Sequence, residues 1–385
     1  MNSVKIISGE GALENIAFEL INLKASKPLI LTTNSMIKHG QIDIITKALK
    51  DAKIDVGLVF KDIPQDSSVD VVNKISKLYR ENNCDSIVAV GGGSIIDTAK
   101  GVNILVSTDS TDLIDQMGLE IVGGSLNPLI VIPTTSGIGS EATLVSVIAD
   151  PSRQLKLEFI SYSLLPDVAI LDHRMTESLP PKLTASTGID ALTHSIEAVT
   201  GFQKNPLSTV YALTSIELIS KYLKSAVENG KDKEARLAMS NASLMAGVAF
   251  SNSMVGIVHA IGHALGSVSH VAHSDAMSIL LTHCMELNLS HCEEAYGRIL
   301  LAFSGPDIYS QTPKKERGKR CIEEVRHYIM DLNQMSGLPI RLRDVGVKKE
   351  DFGKIANTAL NDGASLTNPV QVSYDRIIKI LDKAY

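Results

Sequence analysis

The 385-residue chain has no tryptophan, only four cysteines, no long apolar run and no block of basic charge. Cys84, Cys284, Cys292 and Cys321 form no CxxC pair. They read as reduced thiols, and a chain of this length buries a large core without disulfides. No stretch of eighteen apolar residues exists, so no membrane span is expected. The opening Met1-Asn-Ser-Val-Lys-Ile lacks the long apolar core of a secretory signal, and a cytoplasmic protein is expected. The formal net charge is -6, which argues against nucleic acid or an anionic membrane as partner. Internal repeats and low-complexity segments are also missing. What is present, 44% hydrophobic and 21% charged residues, is the composition of an ordinary globular protein, and the length makes two domains the natural expectation.

The first 175 residues alternate strand-like and helix-like patterns. Strand-like runs are Pro28–Thr33, Asp55–Phe60, Ser86–Val90, Pro128–Ile132 and Val168–Leu171. Between them lie helical runs such as Val69–Asn83, with apolar residues at helical spacing. Short apolar strands with helical crossovers predict a parallel sheet covered on both faces. From Pro180 the β signal fades, and helical patterns cover Lys182–Val199, Leu207–Glu228, Lys233–Ala249 and Lys319–Ser336. The double proline Pro180-Pro181 stops one element and opens the next. The expected architecture is an α/β dinucleotide-binding domain over 1–179 and an all-helical domain over 180–385.

Two loops in the first half carry polar and glycine clusters. In Val88-Ala-Val-Gly-Gly-Gly-Ser94-Ile-Ile-Asp97-Thr-Ala-Lys100, a strand passes through three glycines into a helix start. Glycines let backbone approach a ligand, and the free N–H groups of the helix start favour phosphate. Alone, such a turn is equally well explained as a tight strand-to-helix corner. Pro133-Thr-Thr-Ser-Gly-Ile-Gly-Ser140-Glu-Ala-Thr143 directly follows another strand, at the carboxyl end where open α/β sheets bind ligands. The pair of motifs favours a nucleotide site over two idle loops. Lys156, a lone cation between apolar residues, fits a solvated strand position better than a phosphate contact.

The second half concentrates imidazoles. Five of the ten histidines fall at His194, His259, His263, His270 and His273, and Asp190 precedes His194 by four residues. On a helix, positions four apart share a face, so Asp190 and His194 can reach one point, as can His259 and His263. A carboxylate with two or three imidazoles and no nearby thiol suits Fe(II), Zn(II) or a similar ion. In one straight helix His259 and His273 would stand about 20 Å apart. A turn is needed to join them, and Gly266–Ser269 is a fair place for it. The residues alone leave three partners for His259 open: His263, His270 or His273.

Taken together, Gly91-Gly-Gly-Ser-Ile-Ile-Asp-Thr-Ala-Lys100, Pro133-Thr-Thr-Ser-Gly137, Gly188-Ile-Asp-Ala-Leu-Thr-His-Ser-Ile-Glu197 and His259-Ala-Ile-Gly-His-Ala-Leu-Gly266 resemble the iron-containing (group III) alcohol dehydrogenases. The resemblance extends from Gly9-Glu-Gly-Ala12 to Asn368-Pro369. It implies an N-terminal Rossmann-like domain and an all-α C-terminal domain, the fold shared with dehydroquinate synthase. It also implies reversible hydride transfer between a small alcohol and NAD or NADP, with Asp190, His194, His259 and His273 holding Fe(II) or another divalent ion. His263 would be a catalytic non-ligand beside the nicotinamide. Gly92, Gly93 and Ser94 would sit on the pyrophosphate, with Asp97, Thr134, Thr135, Thr143, Lys156 and Leu179 completing the cofactor site. A homodimer or larger homo-oligomer is expected.

Two departures accompany the resemblance. The last histidine usually stands in Pro-His-Gly, whereas here it is Ala272-His273-Ser274, with His270 three residues earlier. NAD-preferring relatives often carry Asp where this chain has Thr33, so NADP(H) is expected to serve at least as well as NAD(H). The rival readings are a glycerol dehydrogenase-like or dehydroquinate synthase-like enzyme, a metallohydrolase, and a non-catalytic nucleotide-binding sensor.

Overall fold

Alternate residues of the apolar strands feed opposite faces of a single sheet. In the computed structural model, which describes residues 4–64, 67–108, 110–153 and 155–385, the strands are β1 (Lys5–Ser8), β2 (Pro28–Leu31), β3 (Leu58–Phe60), β4 (Ser86–Gly91), β5 (Gly118–Leu119), β6 (Leu129–Pro133), β7 (Val145–Asp150), β8 (Leu155–Ile160) and β9 (Val168–Leu171). Six of them form a parallel sheet in the order β1-β9-β6-β4-β2-β3. Leu29, Leu31, Ile87, Ala89, Leu129 and Val131 enter one apolar cluster, and Ile30, Val88, Val90, Ile130 and Ile132 enter another. This division explains the continuous apolar runs: both faces are covered, so neither parity of residue can be polar. The covering helices are α1 (Ile16–Asn22), α2 (Asn34–Lys38), α3 (Gln41–Asp51), α4 (Val69–Glu81) and α5 (Gly93–Ser107).

A second sheet was not legible in the sequence. β7 and β8 pair antiparallel, and β5 adds to β8. Along β7 the buried positions are Ser146, Ile148 and Asp150. Two of the three inward residues are polar, so hydropathy shows no period of two. The strand over Asp55–Phe60 is also shorter than expected, starting only at Leu58. Ahead of it, Gly57 sits against Cys84 Sγ and Lys27, where an added Cβ would lie 2.7 Å from the sulfur.

The chain divides into two compact units. The first runs through Thr135 and resumes at Gly139–Ser178; the second comprises Ser136–Ile138 and Leu179–Tyr385. The second is helical, with α6 (Pro181–Thr200), α7 (Pro206–Glu228), α8 (Lys233–Ser251), α9 (Ile257–Ser269), α10 (His273–Gln311), α11 (Arg317–Ser336), α12 (Phe352–Leu360), α13 (Ala364–Thr367) and α14 (Tyr374–Ala384). Pro181 occupies the first helical position of α6, where its missing N–H costs nothing. The long α10 leaves helical geometry at Cys292 and again at Gly305, just before Pro306. No helix among the described residues is long and apolar enough to cross a membrane.

α6 is buried on every side from Thr184 to Thr200, although half its residues are polar. Its hydroxyls solve their own burial by bonding back to carbonyls one turn earlier: Thr187 to Leu183, Thr193 to Ile189, Ser195 to Ala191 and Thr200 to Ile196. Asp190, His194 and Glu197 have no such local solution. These three, spaced to share one face, require partners from elsewhere in the fold.

Candidate metal centre and cofactor loops

The partners of α6 come from α9 and the start of α10. His259 Nε2 lies 3.0 Å from His194 Nε2 and 3.9 Å from Asp190 Oδ1, and His273 Nε2 lies 3.5 Å from the same Oδ1. Donor atoms of Asp190, His259 and His273 all fall within 4.8 Å of one another, and His194 adjoins the group through His259. Donors about 2.1 Å from a tetrahedral ion stand about 3.4 Å apart, so the spacings among Asp190, His259 and His273 suit one ion, with His194 adjoining them.

Hydrogen bonding supports that fit. Neither carboxylate oxygen of Asp190 has a hydrogen-bond partner, although the residue is wholly buried. Such orphans are costly unless a cation satisfies them. Burial alone would raise the Asp190 carboxyl, but His194 and His273 outweigh it and hold it well below the usual carboxylate range. Burial likewise keeps His194 and His259 neutral, pushing His194 down to about 3. Neutral imidazole is the form that binds metal.

Glu197 is the residue that sequence reasoning passed over. It stands seven positions after Asp190 on the same face of α6. Its carboxylate accepts the backbone N–H groups of Gly256 and Val258, both at 2.8 Å, and the Nδ1–H of His259 at 2.6 Å. The His259 ring is thereby locked with Nδ1 protonated and Nε2 carrying the lone pair toward Asp190 and His194. Burial pushes Glu197 up to about 7. The i, i+4, i+7 spacing of Asp190, His194 and Glu197 was the available signal. Glu197→Gln is expected to reduce metal affinity about ten- to a hundredfold, read by competition with a chelating dye while helical circular dichroism stays unchanged.

The turn that returns His273 lies later than the sequence indicated. Gly266–Ser269 remains helical, and the chain reverses at His270, Val271 and Ala272. His270 takes the left-handed conformation (φ 56°, ψ 30°) as the cap of α9, and Val271 donates its N–H to Leu265 O and buries its side chain. The ring centres of His259 and His273 are 5.4 Å apart as a result. His270 is exposed at the corner and takes no place among the clustered donors. His263 stands beside the cluster, its ring 5.9 Å from His259 and 5.5 Å from His273, and is bonded to Asp362.

In the first unit, parallel pairing brings the two loops side by side. Gly91 is in register with Pro133, and Thr134 N–H donates to Gly91 O at 3.1 Å. An added Cβ on Gly92 would come within 3.3 Å of Thr135, so these loops touch through a position that only glycine fits comfortably. Gly93 and Ser94 open α5 directly after the Gly92 cap. Thr33 stands two residues beyond β2, the other neighbour of β4, and its hydroxyl accepts Met36 N–H as the cap of α2. Thr33, Gly92, Gly93, Ser94, Thr134 and Thr135 therefore line the carboxyl ends of adjacent strands.

The remaining candidates are placed differently. Lys156 is exposed on β8 opposite Ala149, and Leu179 belongs to the second unit, where its carbonyl accepts from Arg236. Thr143 is buried and engaged by Lys100. The Lys100 ammonium donates to Ser140 O, Thr143 O, Thr143 Oγ1 and Val145 O at 2.7–3.2 Å. Burial drives the Asp97 carboxyl up and the Lys100 ammonium down, and their mutual attraction opposes both. Glu141 is pushed up to about 7 by burial.

Residues 3–173 match the family described as iron-containing alcohol dehydrogenase, and residues 184–385 match the Fe-containing alcohol dehydrogenase family, C-terminal. The chain is 36% identical over 380 residues to alcohol dehydrogenase 4 of Saccharomyces cerevisiae, covering 98% of this chain and 96% of that protein. It is 33% identical over 378 residues to the NAD-dependent methanol dehydrogenase of Bacillus methanolicus, covering 98% and 97%. The solved structure of a 1,3-propanediol oxidoreductase superposes with a TM-score of 0.94 at 32% identity, covering 100% of this chain and 99% of that one. With both halves matched and full-length relatives above 30% identity, this chain belongs to the iron-containing alcohol dehydrogenase family.

Proposed function

We propose that the protein interconverts a small alcohol and its aldehyde by hydride exchange with NAD(P), using a divalent ion, Fe(II) foremost, held by Asp190, His194, His259 and His273. The observation that carries this reading is the buried Asp190 carboxylate, without a hydrogen-bond partner, facing His194 and His259, two imidazoles that burial keeps neutral. When bound, the ion supplies Lewis acidity to the substrate oxygen. Glu197 orients His259, and the apolar wall of Phe250 stacks on His194 at 4.4 Å, holding that ring in place. Backbone N–H groups at Gly92, Gly93 and Ser94 receive the pyrophosphate at the start of α5. Asp97, Thr134, Thr135, Thr143, Lys156 and Leu179 complete the proposed cofactor site, and His263 is the proposed group beside the nicotinamide.

The test is loss of NAD(P)H absorbance with a panel of short aldehydes after Fe(II) reconstitution. Turnover with at least one aldehyde is expected. Ester or phosphoester hydrolysis without NAD(P)H consumption would favour a metallohydrolase and defeat the proposal.

Thr33 leaves the end of β2 without a carboxylate, and NADP(H) is proposed to serve at least as well as NAD(H). The methanol dehydrogenase relative is named NAD-dependent, but one side chain at this strand end can reverse the choice. Asp62 bridges to Thr33 from the neighbouring segment and sits 3.4 Å from Asn34 Nδ2, so a carboxylate is not wholly absent. Thr33→Asp is expected to shift the kcat/KM ratio toward NAD by at least about tenfold through repulsion of the 2′-phosphate. A strong NAD preference in the unmodified protein, unchanged by that substitution, would show that Thr33 is not the selector.

The buried free thiols Cys84, Cys284, Cys292 and Cys321 fit a reducing cytoplasmic setting. Homo-oligomerisation, as a dimer or larger, is proposed with it. Phe18 and Ile21, each more than half exposed, are apolar surface of the kind association covers.

A further inference from the structure

His263 is exposed beside the buried His194 and His259, yet it is not loosely held. Its Nδ1 lies 2.8 Å from Asp362 Oδ2. Asp362 is itself fixed: Oδ1 accepts the N–H of Ala364 at 2.8 Å, and its own N–H donates to Ala359 O at 3.2 Å. The carboxylate thus spans the corner between α12 and α13 with one oxygen on the backbone and the other on the imidazole. It is three-quarters or more covered, while the His263 side chain is 45% exposed. Burial raises the Asp362 carboxyl, but the bonds from His263 and Ala364 outweigh it and the net is a lowered value. An ionised carboxylate only accepts, so His263 Nδ1 must donate.

We infer that Asp362 is a positioning residue, which fixes His263 in the Nδ1–H tautomer so that Nε2 offers its lone pair to the substrate hydroxyl beside the metal centre. Four residues separate His263 from His259 on α9, so both present to the same side of the helix. Their second nitrogens are handled alike: Glu197 takes Nδ1–H of His259, and Asp362 takes Nδ1–H of His263. The two rings differ in exposure, one shut in and one open to solvent. Without the carboxylate, His263 can rotate or present Nε2–H, and the acceptor is lost. This inference rests on the reading of His263 as the group beside the nicotinamide.

The experiment is a double-mutant cycle on the metal-loaded enzyme, with metal content measured in parallel. Asp362→Asn keeps the shape and offers a single acceptor oxygen where two bonds must be satisfied. It is expected to retain metal and to leave KM for the alcohol largely unchanged, while kcat for its oxidation, the direction in which Nε2 takes up the hydroxyl proton, falls at least about tenfold. In a His263→Ala background the same change is expected to cost nothing further, because the two residues act as a unit. An equal loss in both backgrounds, an unaltered kcat, or loss of metal in Asp362→Asn would overturn the inference. Nitrogen-15 shifts of histidine-labelled, zinc-loaded protein give a reading that needs no turnover. The His263 signals, assigned by their absence in His263→Ala, are expected to report a protonated Nδ1 and a bare Nε2. The reverse tautomer would overturn the inference, whether or not any aldehyde is reduced. An inactive parent enzyme with the expected tautomer would count against the proposed activity alone.

Discussion

Asp190→Ala will leave the protein without its metal and lower kcat/KM for aldehyde reduction at least about a thousandfold, the several kcal/mol expected of a lost Lewis acid. His273→Ala will do nearly the same, whereas His270→Ala will keep both metal and most activity. The reason is local geometry. His273 Nε2 stands 3.5 Å from Asp190 Oδ1 at the first residue of α10, and His270 is spent on the left-handed corner that brings it there. Metal content of the three purified variants decides the matter. Retention by His273→Ala with loss by His270→Ala would move the fourth ligand three residues along the chain.

Lys100→Met will destabilise the folded protein by about 3–5 kcal/mol, the order expected from leaving three carbonyls without their charged donor at about 1–3 kcal/mol each. Methionine restores most of the volume, so the loss is polar. The carbonyls of Ser140, Thr143 and Val145 lose their donor, and Asp97 and Glu141 lose their cation. The effect will depend on pH. Burial already raises both acids while the ammonium is present, and without it they titrate higher still above the ordinary values of about 4 in the unfolded state. The variant's folded state then keeps its protons to higher pH than the wild type's, and its stability falls further than the wild type's as pH rises toward about 8. Urea unfolding of wild type and variant at pH 5 and pH 8 measures both claims. A gap between the two proteins that narrows toward pH 8, or a loss under about 1 kcal/mol, would show that Lys100 is not clamping this segment.

How much of this could be read from the chain depends on what each signal records. The parallel sheet was legible because burial on both faces leaves Leu29–Leu31, Ile87–Val90 and Leu129–Ile132 uniformly apolar. β7 was not, because Ser146 and Asp150 are two of its three buried positions. Asp190, His194 and His259 were legible as candidate donors by type and spacing. The choice among His263, His270 and His273 was not, because it depends on where α9 stops, and His270 supplies the left-handed corner usually left to glycine. Glu197 and Asp362 escaped notice for another reason. Each acts through an imidazole distant in sequence, by 62 and 99 positions, and only the fold reveals the pairing. Lys100 sat inside a recognised motif, but its function is to bind carbonyls forty and more residues away.

The central claim is that hydride transfer requires a divalent ion, which Asp190, His194, His259 and His273 would hold and which would act on the substrate oxygen. The most direct measurement is single-turnover oxidation of bound NADPH by a short aldehyde, with protein stripped of metal to a verified trace and then titrated with Fe(II) under anaerobic conditions. The account predicts no absorbance loss in the stripped protein and full recovery as one equivalent per chain is added. Undiminished turnover by the stripped protein would contradict it.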